Sequence, residues 1–182
     1  GAIFYKIRAL FNAGQTAQAL ELSKKLITLT PERAHGYQLL IAIGRETDTM
    51  PEVTSYLQDL HKQIGADTSK EFYGLSLYLT GKVEETIKVL ESVAKKSAVS
   101  YVTLGNAYIL FGERSKTIGL YEQWVKNFGN YKLPWKRLIW SFEVNGQIDK
   151  AFNATTRALS RFGDDQTLLL QALDYSTRLG ML

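Results

Sequence analysis

The sequence predicts an all-α protein built from a run of helical hairpins, and three observations carry that prediction. First, a turn-forming residue recurs along the whole chain: Gly14, Asp48, Gly81, Gly112, Gly146 and Gly180 stand at steps of 34, 33, 31, 34 and 34 residues. Second, each step holds two segments whose apolar positions recur at three and four residues, the spacing of one helix face. Third, the alternation expected of a half-buried strand is absent throughout. A period near 34 belongs to a two-helix repeat. Stacked hairpins of this kind bury a continuous core between neighbours and curl. The fold class predicted is therefore a right-handed α-solenoid of about five helix-turn-helix repeats plus a terminal helix, in a single array over residues 1–182.

The repeats fall at about 1–32, 33–66, 67–97, 98–131 and 132–165, with the terminal helix over 166–182. In the first, segments 3–13 and 16–29 flank Gly14, with Ala9-Leu10-Phe11 before it and Ala19-Leu20 after. The second holds segments 34–46 and 50–64. Thr49-Met50-Pro51-Glu52 reads as a Thr-x-x-Glu capping box with proline in the first turn. The third holds 68–79 and 83–96, opened by a second box, Thr68-Ser69-Lys70-Glu71. In its second helix Val83, Ile87, Leu90, Val93 and Ala94 make the apolar face. Glu84-Glu85 at the start and Lys95-Lys96 at the end complement the helix dipole. The fourth repeat holds 98–111 and 114–127, and the short step of 31 residues before Gly112 predicts a tightened loop near Lys96–Ala98. The fifth holds 133–145 and 148–162, and a last segment, 165–179, opens on Asp164-Asp165, which suits a helix start. The glycines between segments favour the left-handed conformation that ends a helix.

Composition narrows the function. The chain has 182 residues, 45% hydrophobic and 22% charged, as in an ordinary soluble globular protein. It has no cysteine, which excludes a disulfide scaffold, a zinc–thiolate site, an iron–sulfur cluster and a thiol nucleophile. Its two histidines, His35 and His61, are too few for a three-histidine metal site and read as surface or dipole-interacting residues. No Gly-rich phosphate loop, nucleophile elbow or carboxylate pair occurs. The expectation is a protein that is not an enzyme, with no catalytic, cofactor or metal residues. The formal charge of +4 is a slight excess rather than a basic cluster, so nucleic acid is not the expected partner. No apolar run reaches the roughly 18 residues of a membrane span. The opening Gly-Ala-Ile-Phe-Tyr-Lys, without initiator Met or leader, reads as the cut end of a longer protein or a tag scar. The compartment stays open between cytoplasm and periplasm.

The fourth repeat carries a more specific signal. Tyr101, then Leu104-Gly105-Asn106-Ala107-Tyr108, Gly112, Thr117-Ile118 and Tyr121 resemble the tetratricopeptide repeat, whose first helix runs aromatic, Leu-Gly, Tyr and whose second runs small then bulky. Trp135, Leu138 and Phe142 fit the same pattern with Ile139 for the glycine. Tyr73-Gly74 keep the pair, although Lys70 stands where an aromatic belongs. Tyr37 and Leu40 fit, with Ile41 and Gly44 departing. Ala19 and Ala151 supply the small residue of the second helices; Thr86 and Thr117 replace it. Pro31 matches the repeat-closing proline. The resemblance spans essentially the whole chain.

That resemblance implies a non-catalytic scaffold whose first helices line a concave groove for a protein or peptide. Stepping by three and four along those helices gives the candidate groove residues Arg8 and Phe11; Gln38 and Arg45; Glu71, Leu75 and Tyr78; Asn106 and Ile109; Lys136, Trp140 and Glu143; and Asp174. Phe4, Val102, Leu170 and Arg178 lie on the same stripe. Of these, Phe4, Val102 and Leu170 are expected in the core between repeats, while Tyr78, Asn106 and Trp140 are expected to be exposed. A chaperone-tail clamp is not implied, because Val102 stands where a lysine is wanted and Glu71 would repel an acidic tail.

Other readings stay beside this one. Exopolysaccharide export or carbohydrate binding would use Tyr78, Asn106 and Trp140 against sugars. A pentatricopeptide-like RNA reader has a similar period near 35. Trp124, Phe128, Tyr131, Trp135 and Trp140 interleave with Lys126, Lys132, Lys136 and Arg137, a pattern able to stack on bases; the lysines scatter over both helix faces, however, and Trp135 and Phe142 fall on packing positions. Leu168, Leu169, Leu170, Ala172, Leu173 and Tyr175 make the last helix too apolar for a solvated cap, so self-association through the terminal helix is expected.

Overall fold

A computed structural model describes residues 2–181; Gly1 and Leu182, the ends of the predicted array, lie outside the described residues. Eleven α-helices follow one another: α1 (Ala2–Asn12), α2 (Thr16–Leu29), α3 (Ala34–Glu46), α4 (Met50–Ile64), α5 (Asp67–Leu79), α6 (Val83–Glu91), α7 (Ala98–Phe111), α8 (Lys116–Phe128), α9 (Lys132–Val144), α10 (Ile148–Phe162) and α11 (Gln166–Arg178). There is no strand among the described residues. The architecture is an all-α helical repeat.

The periodic turn residues do what their spacing requires. All six have positive φ, and Asp48, at φ 56°, adopts the same left-handed turn as the glycines that flank it in the series. Asp is one of the few L-residues that tolerate this region, so the period survives the substitution.

Helix starts are less regular than the sequence implies. Asp165 caps α11 as expected, its carboxylate accepting from the Thr167 and Leu168 main-chain N–H groups at 3.1 and 3.2 Å. Neither Thr-x-x-Glu box forms. Thr49 makes no side-chain cap bond, and its hydroxyl pairs with that of Thr47 at 3.0 Å. Thr68 lies inside α5, which starts one residue earlier, at Asp67.

The second departure concerns α6. The predicted segment 83–96 is helical only to Glu91. The short repeat step thus comes from a truncated helix, and the loop is lengthened rather than tightened. Side chains stabilise the residues released from the helix. Asp67 at the start of α5 accepts from the Ala94 and Lys95 N–H groups, at 3.3 and 2.9 Å. The Lys96 ammonium donates to the Glu91 and Val93 carbonyls at 3.2 and 2.6 Å, closing the helix end.

The chain divides into two compact units, Gly1–Ala107 and Tyr108–Leu182, with the boundary inside α7. In the first unit, sequential helices pack as hairpins and the first helices also meet each other, α1 with α3 and α3 with α5. Its main core gathers Ile27, Tyr37, Leu40, Leu57, Phe72 and Leu77. Tyr37 and Phe72, on successive first helices, stack with ring centroids 5.0 Å apart. Small residues set the helix spacing. Gly74 faces Leu90 across the α5–α6 hairpin so closely that an added Cβ would lie 2.6 Å from Leu90 Cγ. Gly36 meets Ile27 in the same way, an added Cβ lying 2.7 Å from its Cγ1 and 3.1 Å from its main-chain N. In the second unit α9 packs against both α8 and α10, and α10 against α11. Trp135, Leu138, Ile139 and Phe142 of α9 are buried, as are Tyr121, Trp124, Leu168 and Tyr175. Ala19, Thr86, Thr117 and Ala151, the small positions of the second helices, are completely buried.

Candidate functional site

The first helices place the predicted groove residues in three kinds of environment. Arg8, Gln38, Arg45, Lys136 and Asp174 are exposed. Tyr78, Asn106, Ile109 and Trp140 are half-buried, presenting part of an aromatic, amide or aliphatic side chain. Phe11 and Leu75, also half-buried, pack onto the core, Phe11 beside Ile7 and Ala19, Leu75 beside the Tyr37–Phe72 cluster.

Glu71 differs from its expected role. It is buried, 4% exposed, and its carboxylate accepts from the Ser97 N–H at 2.5 Å and the Ser100 hydroxyl at 2.7 Å. A buried carboxylate must be paired with donors, and these two, at the start of α7, fill that need. Glu71 is therefore a tie between successive first helices and not a ligand-facing charge. Leu170, expected in the core, is 61% exposed. Phe4 and Val102 are half-buried. Phe4 meets the edge of the exposed His35 at 6.0 Å and lies under the Arg8 guanidinium. His61 is no plain surface residue: its ring stacks on Tyr73 at 4.9 Å, and burial with Lys62 and Lys70 nearby lowers its pKa.

In the second unit the structure brings Glu143 and Asp174 together. Arg178 pairs with both, at 3.2 and 3.3 Å, and the Tyr175 hydroxyl donates to Glu143 at 3.0 Å. Burial and the bond to Glu143 push the Tyr175 phenol up. A cavity of about 340 Å³ between α9 and α11 lies beside this cluster, lined by Glu143, Leu170, Asp174 and Tyr175 among others.

The arrangement of first helices, small hairpin residues and left-handed turns at a 34-residue period is matched in solved structures. TTC0263, a thermophilic tetratricopeptide protein of Thermus thermophilus, superposes with a TM-score of 0.59 at 17% identity, over 96% of this chain and 97% of that one. The fold is that of the tetratricopeptide repeat. Pseudomonas aeruginosa PilF gives a TM-score of 0.66 at 13% identity, over 98% of this chain and 83% of its own. YrrB, described as a tetratricopeptide protein with an unusual peptide-binding site, gives 0.61 at 11% identity, over 87% of this chain and 84% of its own. No protein-family model and no curated protein matches the chain in sequence. At these identities the likeness is one of fold. Among the described residues no group of His, Asp and Glu is arranged to hold a metal, and no helix is long and apolar enough to cross a membrane.

The tetratricopeptide pattern directs attention to the first helices and away from a cleft on the second ones. Within the second unit, α8 and α10 flank a cavity of about 710 Å³ floored by Trp135, Leu138 and Phe142 of α9. Lys126 stands on the α8 wall, and Lys150, Asn153, Arg157 and Arg161 on the α10 wall. The signal was available in the sequence as a polar stripe at three, four and four residues along α10.

Proposed function

We propose that the chain is a non-catalytic scaffold that binds a protein or peptide on the first-helix face of its repeats. The observation that carries this reading is the partial exposure of Tyr78, Asn106 and Trp140 on three different first helices. Folding leaves these large polar and aromatic groups outside the core, where they can act as anchors for a ligand. Exposed Lys136 on the helix of Trp140, and exposed Arg8, Gln38 and Arg45 on the first helices α1 and α3, add charge and hydrogen-bonding capacity. The fold supports the reading, since neighbours include YrrB with its peptide-binding site and Naa15/Naa10 bound to HypK-THB.

The test is a peptide-display selection against the chain, with each hit measured on Tyr78→Ala, Asn106→Ala and Trp140→Ala. Loss of about tenfold or more in affinity at one or more of these positions supports the reading, an anchor being worth about 1.4 kcal/mol or more. Hits indifferent to all three, or glycan-array binding lost in Trp140→Ala in place of peptide hits, would replace it. Association of two copies through α11 is a second binding mode, favoured by the exposure of Leu169, Leu170 and Leu173.

A further inference from the structure

The cleft between α8 and α10 concentrates positive charge that the protein does not neutralise. Several cations elsewhere sit beside a carboxylate: Lys24 with Glu21, Lys88 with Glu84, Lys132 with Asp165, Arg178 with Glu143 and Asp174. Among the described residues, Lys126, Lys150, Arg157 and Arg161 form no ion pair with any carboxylate. Glu122, near the start of the α8 wall, is the single acidic residue lining the cavity. The second unit also holds most of the chain's positive excess, with ten Lys and Arg against seven Asp and Glu in residues 108–182.

The floor and the α8–α9 loop hold two of these cations, Arg157 and Arg161, in place. The Trp135 indole N–H donates to the Gly129 carbonyl at 2.9 Å, and the Arg157 guanidinium lies over the Trp135 ring at 5.2 Å. Arg161 bonds the Asn130 side-chain oxygen in the α8–α9 loop. A cation stacked on an aromatic ring is oriented without being discharged.

We propose that this cleft is a second binding surface, separate from the first-helix face, and that its occupant is an extended acidic peptide segment. Three features select that class. From Lys150 to Arg161 the cations span about 16 Å at 1.5 Å per helical residue, the reach of about five extended residues. A single phosphate would need them convergent. The lining also includes exposed Asn153, whose carboxamide offers the donor and acceptor that a peptide main chain uses. Finally, single-stranded nucleic acid needs exposed ring faces. Here Trp135 is 5% exposed with a face covered by Arg157, so the cleft offers charge without a stacking platform. Glu122 gives that end of the cleft the opposite sign and sets the direction in which acidic side chains can lie.

The experiment is fluorescence anisotropy with a labelled eight-residue Asp/Glu-rich peptide and its Asn/Gln counterpart, at about 50 and 200 mM salt. Proteins compared are the unmodified chain, Lys150→Glu, Arg157→Glu, and Lys25→Glu on α2 as a charge-matched control outside the cleft; circular dichroism verifies each fold. The expected result is salt-sensitive binding of the acidic peptide alone, weakened about tenfold or more by Lys150→Glu and Arg157→Glu and left within about twofold by Lys25→Glu. Three results would each overturn the proposal. One is no binding at low salt. Another is equal weakening by all three variants, which marks a bulk-charge effect. The last is tighter binding of a length-matched oligonucleotide or of polyphosphate. Since Tyr78, Asn106 and Trp140 do not line the cleft, Tyr78→Ala and Trp140→Ala leave this binding intact, so the two surfaces stand or fall separately.

Discussion

The Glu71 carboxylate on α5 accepts the Ser100 hydroxyl of α7 at 2.7 Å, joining two first helices across the whole of α6 and the loop that follows it. The same oxygen also holds the Ser97 N–H. Replacing Glu71 by Ala leaves two donors without partners in a buried site and removes a charge-assisted bond. We expect a loss of about 2–3 kcal/mol, with Glu71→Gln losing less because its amide oxygen still accepts. Urea unfolding followed by circular dichroism measures both. An unchanged midpoint in Glu71→Ala would mean that water replaces the carboxylate and that the tie carries no stability.

Glycines divide by what surrounds them. At Gly74 a Cβ would overlap Leu90, so Gly74→Ala should cost about 1–3 kcal/mol, and adding Leu90→Ala should recover less than it loses because that change opens a cavity of its own. At Gly119, exposed on α8, a Cβ meets nothing within 4 Å. Gly119→Ala should therefore stabilise the protein by about 0.5–1 kcal/mol through helix propensity. Thermal melts of the two single variants should move in opposite directions; a shared direction would misplace one of the two helix faces.

The fold was legible because its signal is repeated. Gly14, Gly81, Gly112, Gly146 and Gly180 mark turns that need a left-handed residue, and Asp48 betrays itself by the same spacing. One-off solutions were not legible. Thr68-Ser69-Lys70-Glu71 spells a capping box, yet Glu71 turns inward because α7 offers donors 26 and 29 residues away in sequence, beyond any local pattern. The early end of α6 depends likewise on Asp67, 27 residues before the Ala94 N–H it holds. On the candidate face, helical stepping separates first-helix from second-helix residues but not a half-buried Trp140 from a core-packed Leu75, since that depends on which neighbour arrives. The basic stripe Lys150–Arg157–Arg161 was readable along α10; its meeting with Lys126 required the placement of α8.

His61 makes stability depend on pH in a defined window. Burial, then Lys62 and Lys70, lower its pKa from the ordinary 6.5, and Tyr73 stacks on the ring. The unfolded chain thus binds this proton at a higher pH than the folded one. Its contribution is complete above about pH 6.5 and is lost as pH falls from there through the lowered folded value. Glu84 and Asp165, whose carboxyls are held down by Lys88 and Lys132, lose theirs only in the more acidic carboxylate range. His61→Phe keeps a ring against Tyr73 and removes the titration. Its urea midpoint should change less than that of the unmodified protein between about pH 7.5 and 5. Parallel curves for the two proteins would show that His61 titrates alike in both states.

The exposed leucines of α11 lead to the last prediction. Leu168 and Tyr175 are buried, whereas Leu169, Leu170 and Leu173 are 48, 61 and 55% exposed, and Met181 beyond the helix is 62% exposed. Three such side chains within five residues form an apolar patch on one end of the second unit, and apolar patches of this kind seek cover. A two-fold pairing of α11 with α11 closes a dimer, while pairing with a different surface propagates. We expect weak, concentration-dependent association that is insensitive to salt, because the leucines and not the charges of Asp174 and Arg178 supply the contact. Leu170→Glu with Leu173→Glu should abolish it without lowering the melting temperature, since neither side chain is in the core. Sedimentation velocity over a hundredfold concentration range decides the matter. Association that persists in the double variant would move the interface off α11, and a strict monomer at high concentration in the unmodified chain would mean that the patch is too small to hold a second copy.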